Sequence, residues 1–548
     1  MSTTPLPAGS LRATSLNAAR RTTDMSTVAD PAGVDVLVVG GGVTGAGSAL
    51  DAAARGLSVA LVEAEDFAWT SRWSETFDRF PPPDLRDASE FRLSRISAAE
   101  RHVLMSRTAP HLVRTLPRIV PLRPDVPRRN EVLLSSGLRA ADALRRGTRT
   151  PGSLVPAPRR IPAAEALALA PNIRGNGGRS DRIRGDRTRR DELRAGLLAF
   201  DGEIDTARLV VALARTAAGF GARVLTRVRA RSLDDGGATV VDRNGGEAFR
   251  IRARSVINAA GAWAGELAPK PPTRIHRRTQ LVIDPEAAGL AETAVSLPRS
   301  GNREDFLTLA PEQEGHASLG TAETPVDGPL PDIGGTSEED RSTVDHMLDS
   351  ANRALNNPLQ RRDVRRVSTE LRALVDSGSK VDAKALLRPT RTPPPARGHA
   401  LRTAGNVVTV AGGTLGTYRR VAADAVDAAV RAKDLAAGPS RTAAVPLVGA
   451  VERARAAELD VDPRLVARYG TEAVRVSALA ELDADLAEEV APSLSAAEVV
   501  WAVRHEGALN ADDVLDRRSR SGLDPERREA ARPAVAELVA RALRGVLS

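Results

Sequence analysis

Hydrophobic and polar residues near the start of the chain follow an order that predicts a strand, a helix and a second strand. Four apolar residues, Val36 to Val39, form a short run typical of a strand buried on both faces. Small and apolar residues from Thr44 to Ala54 predict a helix, and Arg55 and Gly56 end it. The stretch LSVALVE, which ends at Glu63, predicts the next strand. This order is that of a βαβ unit.

Glycines lie at the turn between the first strand and the helix, where Gly40, Gly42 and Gly45 give the spacing G-x-G-x-x-G. This spacing allows a tight turn, close approach of a pyrophosphate and close packing of helix on strand. The helix dipole favours negative charge at its N-terminus. Glu63 lies about twenty residues further on, where a carboxylate accepts hydrogen bonds from ribose hydroxyls. The pattern predicts a dinucleotide site, with NADP the least favoured ligand. FAD and NAD remain open at this point, and a packing turn is the alternative.

Two later segments repeat the order of strand, glycine turn and helix. A buried strand runs into the small residues Ala259 to Gly261, and a strand after Asn406 runs into Gly412 and Gly413. Between the first βαβ unit and the two later segments, Asp205 or Thr206 caps a predicted helix that is followed by the strand ARVLT. Three such units spread along one chain predict a split nucleotide-binding domain.

The remaining pattern predicts two further domains. Residues 266–394 interrupt the nucleotide-binding units, and within them two antiparallel strands flank a turn at Glu314 and Gly315. After Lys433 a linker-like stretch precedes residues with helical spacing, which predict a helical domain over residues 445–548.

Composition limits the classes of protein that fit. The chain has 548 residues, enough for about three domains, and contains no cysteine, which excludes disulfides and thiolate metal sites. No metal site is predicted. Residues 1–30 are polar and are expected to form a disordered tail, or an overextended start with Met25 as the alternative. The sequence contains no apolar run of membrane-spanning length.

The net charge is +8, and much of the excess comes from arginine-rich stretches such as residues 181–194. A solvated charged face explains such stretches, and a patch for anionic lipid or an acidic substrate is the alternative. Nucleic-acid binding is disfavoured because acidic residues interrupt the basic runs and aromatic residues, on which bases stack, make up only 3% of the chain.

The quoted segments, together with AERHVLMSRTAPHLVRTLP from Ala99 and WAVRHEGALNADDVLDRRSR from Trp501, resemble the FAD-dependent glycerol-3-phosphate dehydrogenase family over residues 31–548. The resemblance favours FAD over NAD. It implies an α/β fold: a Rossmann-like FAD-binding domain of the glycine-oxidase-like group, an interleaved antiparallel-sheet substrate domain and a C-terminal helical domain. The oxidoreductase part would span residues 31–435, with FAD-binding parts at 31–110, 195–265 and 395–435.

The family oxidises sn-glycerol 3-phosphate to dihydroxyacetone phosphate and passes electrons to a quinone or another acceptor. The resemblance implies a cytoplasmic protein, with contact to the inner face of the cell membrane as an open alternative, and leaves a homodimer open. Implied phosphate ligands are Arg372 and Arg419, with Arg277 as a further candidate. His276, which lies where the chain enters the second domain, is the candidate base, and an exposed surface histidine is the alternative. Tyr418 is a candidate substrate contact, and filling of the turn is the alternative. The implied FAD-binding residues are Gly40, Gly42, Val43, Thr44, Gly45, Glu63, Ser71, Arg72, Val228, Ala260, Gly261, Gly413, Thr414, Leu415 and Thr417.

The chain departs from the family at several site positions. The family's lysine after the second strand falls at Glu75, and its histidine and two glycines fall at Asp78, Arg79 and Phe80. Further departures place Arg278 at a glycine, Gln280 at a histidine and Thr414 at a lysine of the family. Two alternatives to an active glycerol-3-phosphate dehydrogenase therefore stay open: a flavoprotein oxidoreductase with another substrate, and a degenerate homologue impaired in flavin binding or catalysis.

Overall fold

A computed structural model describes residues 11–71, 73–77, 88–123, 126–175, 193–298, 306–331, 338–375 and 398–545. The strands are β1 Val34–Val39, β2 Val59–Val62, β3 Ser74–Thr76, β4 Val113–Leu122, β5 Arg159–Pro162, β6 Ala195–Asp205, β7 Arg223–Leu225, β8 Val228–Asp234, β9 Gly237–Asp242, β10 Ala248–Asn258, β11 Thr273–Ile283, β12 Ala294–Pro298, β13 Phe306–Glu312, β14 His316–Pro325, β15 Val364–Val375, β16 His399–Ala404, β17 Val407–Gly412, β18 Glu489–Ala491 and β19 Leu494–Ser495. The helices are α1 Leu11–Thr14, α2 Ala18–Val28, α3 Val43–Ala54, α4 Ala88–Val103, α5 Arg128–Gly147, α6 Ala163–Leu169, α7 Thr206–Gly219, α8 Ala264–Leu267, α9 Pro285–Ala288, α10 Glu338–Asn352, α11 Tyr418–Lys433, α12 Arg453–Ala456, α13 Pro463–Tyr469, α14 Ala473–Leu482, α15 Ala496–His505, α16 Ala511–Asp513 and α17 Pro525–Leu543.

The predicted βαβ unit is the centre of the first sheet. Strands β17, β10, β1, β2 and β7 lie side by side and parallel, with β16 antiparallel at one edge. Helices α3, α7 and α11 pack against one another on one face of this sheet. Val38, Leu50, Leu209 and Val426 belong to the apolar core between them. The α/β class and the helix predicted from Thr44 are confirmed, because apolar residues fill both faces of β1 as parallel strands require.

The second sheet has nine strands and is mostly antiparallel, in the order β15-β11-β14-β13-β12-β4-β6-β3 with β5 beside β6. The hairpin of β13 and β14 turns at Glu314 and Gly315, as predicted, and both residues have positive φ. Strands β3 to β6 lie outside residues 266–394, so the sheet draws on more of the chain than predicted. In particular, β6 does not belong to the nucleotide-binding part, because it pairs with β4 along its whole length.

The C-terminal helices are joined to α7 by a buried ion pair. Both oxygens of Glu506 accept hydrogen bonds from Arg208, at 2.7 Å each. The Glu506 side chain is fully buried, and Arg215 lies 3.9 Å away. The stretch after Lys433, predicted as a linker, is packed as well: Leu435 and Leu447 belong to the core around α3, and the Thr442 hydroxyl donates to Asp51. No helix within the described ranges is both long and apolar enough to cross a membrane.

The structure corrects the expectation of a disordered tail for residues 11–30. Val28 is completely buried in the core beneath the first sheet. Arg20 donates to the carbonyl oxygens of Ala218 and Ala222, and the backbone N–H of Leu16 donates to His505. The segment is polar because its contacts are hydrogen bonds and ion pairs with distant parts of the chain. Residues 1–10 lie outside the described residues.

Replacing Glu506 by Gln tests the ion pair that joins the C-terminal domain to α7. Burial would raise the pKa of Glu506, but Arg208 and Arg215 hold it at about 2. The carboxylate therefore stabilises the fold above its unfolded pKa of about 4.3, and this stabilisation is lost as the pH falls through 2. We expect Glu506→Gln to lower the free energy of unfolding by about 3 kcal/mol at pH 7, with a smaller difference from wild type at pH 3.

Urea denaturation at the two pH values measures this effect. The matched control is Asp345→Asn, which breaks an exposed ion pair with Arg361 and should leave the free energy of unfolding nearly unchanged, because exposed ion pairs contribute little. Equal losses for the two variants at pH 7 would contradict the role given to Glu506.

Candidate functional site

The turn after β1 brings three backbone segments into contact. Gly40 has φ of 109°, and a Cβ at this position would lie 2.5 Å from the carbonyl oxygen of Ala259, just after β10. A Cβ at Gly45 would collide with the carbonyl oxygen of Gly40. Glycine is therefore required at both positions, as the fingerprint predicts. The result is that α3 begins directly at the carboxyl ends of β1 and β10.

The N-terminus of α3 is open. Gly42 is its N-cap residue and supplies no side-chain cap. The first helical hydrogen bond runs from Ala46 to Gly42, so the N–H groups of Val43 and Thr44 have no acceptor within the helix. A Cβ built on Gly42 would meet nothing within 4 Å. Space, unpaired helix N–H groups and the helix dipole together suit a diphosphate, so the residues present fit a dinucleotide cofactor.

Glu63 lies beside this turn at the end of β2. Its Oε2 accepts the N–H of Gly41 at 2.5 Å and its Oε1 accepts the N–H of Glu65 at 2.8 Å. Burial raises the pKa of Glu63 to about 7. The N–H of Val228 donates to the carbonyl oxygen of Glu63 at 2.8 Å, so two predicted cofactor residues lie side by side. Each carboxylate oxygen has a further lone pair, and binding of ribose hydroxyls to Glu63 stays a prediction.

The other predicted cofactor residues follow the ends of β10 and β17. Ala260 comes after β10, and Gly261 has φ of 60° with open space around it. Gly413 has φ of 91°, which favours glycine, and its N–H donates to Gly398 at 2.9 Å. Residues at the end of β15 approach both turns, since the Val375 side chain lies against Gly412 and β15 contacts residues 261–263. The second sheet therefore meets the first at the carboxyl ends of its parallel strands, where ligands bind in open α/β sheets.

Strand pairing places the candidate base beside a candidate phosphate ligand. In the register of β11 and β15, His276 lies opposite Arg372. Arg372 Nη1 lies 3.2 Å from Glu323 Oε1 on β14. Within the described part of the chain, the buried Nδ1 of His276 has no hydrogen-bond partner, and burial lowers the pKa of this ring. Because side chains alternate along a strand, Arg277 points to the opposite face of the sheet and is not a phosphate ligand in this arrangement.

The turn after Gly413 leads into two of the predicted catalytic residues, Tyr418 and Arg419. Tyr418 is only 4% exposed and packs against Gly47 of α3, so its ring fills the core between helices, which is the structural alternative to a substrate contact. Arg419 donates to both oxygens of Glu100, at 2.7 and 2.6 Å, and its role as a phosphate ligand stays a prediction.

The remaining residues of that turn are structural in this arrangement. Thr414 and Thr417 cap a short 3-10 turn through reciprocal hydrogen bonds, and Leu415 is buried in the core. Their backbone still follows the end of β17, so contact with a cofactor through the main chain stays a prediction.

Several site residues were missed or lie outside the described residues. Ser71 donates to Glu370 on β15 at 3.3 Å. Arg72 and residues 78–80 lie outside the described part. Sequence reasoning did not assign Glu370 or Arg278 to the site, although Arg278 bonds both Glu370 and Glu75. The sequence contained one signal for the contact between Glu75 and Arg278. Both residues depart from the family, and they carry opposite charges.

Comparison with known proteins gives the class of this site. Residues 35–417 match the model of the FAD dependent oxidoreductase family, and residues 440–544 match the C-terminal domain of alpha-glycerophosphate oxidase. The structure is similar to the glycerol-3-phosphate dehydrogenase from Bacillus halodurans complexed with FAD, with a TM-score of 0.68, 22% identity and 97% of each chain covered. FAD is therefore the cofactor of this protein, and its binding at the glycine turn stays a prediction.

Sequence relatives narrow the class further. The chain is 41% identical to glycerol-3-phosphate dehydrogenase 1 of Mycobacterium tuberculosis over 94% of this chain and 96% of the relative. It is 32% identical to glycerol-3-phosphate dehydrogenase 2 of the same organism over 92% and 84%. The chain belongs to the FAD-dependent glycerol-3-phosphate dehydrogenase family.

Replacing Gly42 by Val tests the assignment of the diphosphate site. Because a side chain at Gly42 meets only open space in the protein itself, we expect Gly42→Val to fold with little change in melting temperature. The same side chain would fill the space at the N-terminus of α3, so purified protein should lose at least about nine-tenths of its FAD, a penalty of more than about 1.4 kcal/mol. The absorbance ratio at 450 and 280 nm measures flavin content.

The matched control is Gly152→Val, because Gly152 also has open space around it and no positive φ but lies far along the chain from the fingerprint. This variant should retain FAD. Wild-type flavin content in Gly42→Val would show that the diphosphate lies elsewhere.

Proposed function

We propose that the protein oxidises sn-glycerol 3-phosphate to dihydroxyacetone phosphate and passes the electrons to a quinone. The observation that carries the proposal is the pairing of His276 with Arg372 on the face of β11 and β15 whose Glu370 contacts Ser71, a predicted FAD-binding residue. A base and a phosphate ligand next to the cofactor are what this oxidation requires. The names of the relatives support the same substrate.

Arg372 would bind the phosphate of the substrate. A guanidinium matches the oxygens of phosphate with two parallel hydrogen bonds. Arg372 is held by Glu323 through Nη1, and its side chain is 17% exposed. Binding of the phosphate to Arg372 would place the carbon chain of the substrate next to His276, which lies opposite Arg372 in the pairing of β11 with β15.

His276 would take the proton of the secondary hydroxyl. Burial lowers the pKa of its ring, so the imidazole is neutral at neutral pH and able to accept a proton at Nδ1. That atom has no other partner among the residues described. Bound FAD supplies the acceptor for the hydride that leaves the same carbon. The protein's part is to hold the substrate, to remove the proton and to keep the reacting carbon in place.

The acceptor is proposed to be a membrane quinone, with the protein on the cytoplasmic face of the membrane. Support comes from the outer face of α5, which carries the exposed side chains Arg128, Arg129, Val132, Leu133, Arg139 and Arg146. Val132 and Leu133 are 63% and 60% exposed. Both acidic residues of the helix are neutralised, Asp142 by Arg145 and Arg146 and Glu131 by Arg160. A cationic face with exposed apolar side chains suits the surface of an anionic bilayer.

One observation favours a second candidate, a folded homologue with impaired turnover. Arg419 is paired with Glu100, and Tyr418 is buried, so two of the four predicted catalytic residues already have partners within the protein. This candidate shares the FAD site but not the reaction.

Anaerobic addition of glycerol 3-phosphate to the purified protein separates these candidates. If the proposed reaction occurs, the yellow flavin should bleach at 450 nm within one turnover, because two electrons pass from substrate to FAD. The matched control is His276→Gln, which should bind FAD but bleach at least 100-fold more slowly. A yellow protein that dithionite bleaches and glycerol 3-phosphate does not would contradict the proposed reaction.

Co-sedimentation with vesicles tests the membrane face. We expect wild-type protein to bind vesicles with 40% phosphatidylglycerol and not vesicles of phosphatidylcholine, because the outer face of α5 combines arginines with apolar side chains. Leu133→Glu should weaken this binding at least fivefold. The control is Leu482→Glu, at an apolar residue that is 85% exposed on α14. Equal binding by both variants would contradict a role for α5.

A further inference from the structure

Arg278 lies at the centre of a cluster formed by two departures from the family. Its Nη1 donates to Glu75 Oε1 at 2.6 Å and to Glu370 Oε1 at 2.9 Å. The guanidinium lies 5.3 Å above the ring of Trp73. Residue 75 is where the family has a lysine, and residue 278 is where it has a glycine. Compared with the family, the chain has no cation at residue 75 on β3 and has one at residue 278 on β11. Arg278 contacts Glu75, which stands at the position of the family's lysine.

The cluster shares one face of the second sheet with the proposed substrate site. Arg278 follows His276 by two residues on β11, and Glu370 precedes Arg372 by two on β15, so all four side chains point to the same face. The two long side chains are fixed, since Arg278 is 15% exposed and Glu370 is 5% exposed. A cation next to Arg372 thus lies on the face that the predicted FAD-binding residue Ser71 contacts through Glu370.

Several polar atoms on this face have no acceptor or donor within the described ranges. Both carboxylates bind Arg278 through Nη1, and the buried Nε has no partner. The buried hydroxyl of Ser368 and Nδ1 of His276 are also without partners. A buried polar group without a partner costs about 1–3 kcal/mol. A ligand rich in acceptor oxygens would satisfy the donors of Arg278 and Ser368.

The charge of the face is adjustable. Arg278, Arg372, Glu75, Glu323 and Glu370 sum to −1 when all are ionised. Burial raises the pKa of Glu370, whereas Arg278 and Arg372 hold the pKa of Glu75 below its ordinary value despite burial. Glu370 is therefore protonated more readily than Glu75, and Glu75 is the carboxylate that holds Arg278.

We propose that Arg278 is a further ligand for the phosphate group of the substrate, held in position by Glu75 and Glu370. The inference rests on the proposed function, because it concerns the phosphate of the same substrate. Arg278 contributes a binding contact, whereas Glu75 and Glu370 are positioning residues. Arg278 supplies the site with a cation, which the family supplies through the lysine at the position of Glu75.

The test uses the full chain loaded with FAD and measures kcat and KM for glycerol 3-phosphate, together with the dissociation constant of inorganic phosphate. Arg278→Met should raise KM and the phosphate dissociation constant at least about tenfold, with flavin content retained and a smaller change in kcat. Arg278→Lys, which keeps the charge, should lie between it and wild type. Glu370→Gln should lower the phosphate dissociation constant, since it removes a negative charge and keeps an acceptor for Arg278.

A surface arginine of the same sheet provides the control. Arg365→Met breaks the contact of an arginine with Asp284 at the other end of β15 and should change neither constant more than twofold. The inference is overturned if Arg278→Met lowers the melting temperature but leaves the phosphate dissociation constant within twofold of wild type, or if Glu370→Gln weakens phosphate binding as much as Arg278→Met does.

The two proposals are distinguishable. Wild-type protein that binds phosphate through Arg278 but does not oxidise glycerol 3-phosphate would contradict the proposed reaction and support the ligand role. Wild-type protein that oxidises the substrate with an unchanged KM in Arg278→Met would support the reaction and overturn the ligand role.

Discussion

The close approach of the β1 turn to the end of β10 is the constraint on which the site depends. Gly40 leaves no room for a side chain because the carbonyl oxygen of Ala259 lies against it, and Gly45 packs directly on Gly40. This approach fixes the start of α3 at the carboxyl edge of the parallel sheet. With Gly42 open in front of it, the helix presents unpaired N–H groups to an anion. Every other part of the proposed chemistry is positioned relative to the FAD that we expect to bind there.

The second sheet and the C-terminal domain complete the site around that turn. The end of β15 meets the turns after β10 and β17, which brings the second sheet next to the predicted FAD site. The segment from Trp501 to Arg520, one of those that carry the resemblance, contacts the chain around β3. Arg517 donates to the carbonyl oxygen of Trp69 at 3.0 Å, and Arg520 donates to Ser74 on β3 and to Glu312 on β13. The motif that carried much of the resemblance thus has a structural role, which is to join the helical domain to the strands that present Glu75.

Local patterns predicted those parts of the fold that local interactions determine. The apolar run of β1, the glycines after it and the turn at Glu314 and Gly315 each depend on residues within a short stretch, and all were found in the expected place. The helices of residues 11–28 were not predicted, because the hydrogen bonds of Arg20 and the burial of Val28 depend on parts of the chain about 200 residues away. Pairing of β6 with β4 likewise depends on a distant partner.

The same limit applies to the site. The sequence predicted Arg372 through its family position and His276 through its place at the entry to the second domain, and strand pairing places them side by side. It did not predict that Glu100 would engage Arg419 or that Glu75 would hold Arg278, because ion pairs of residues more than 200 positions apart leave no local pattern.

The central claim is that the FAD diphosphate lies against the N-terminus of α3. A crystal structure of the FAD-loaded protein tests it most directly. The predicted result is diphosphate oxygens within hydrogen-bond distance of the N–H groups of Val43 and Thr44, with the flavin ring facing His276 and Arg372. A diphosphate bound elsewhere, or protein side chains filling the space in front of Gly42, would contradict the account.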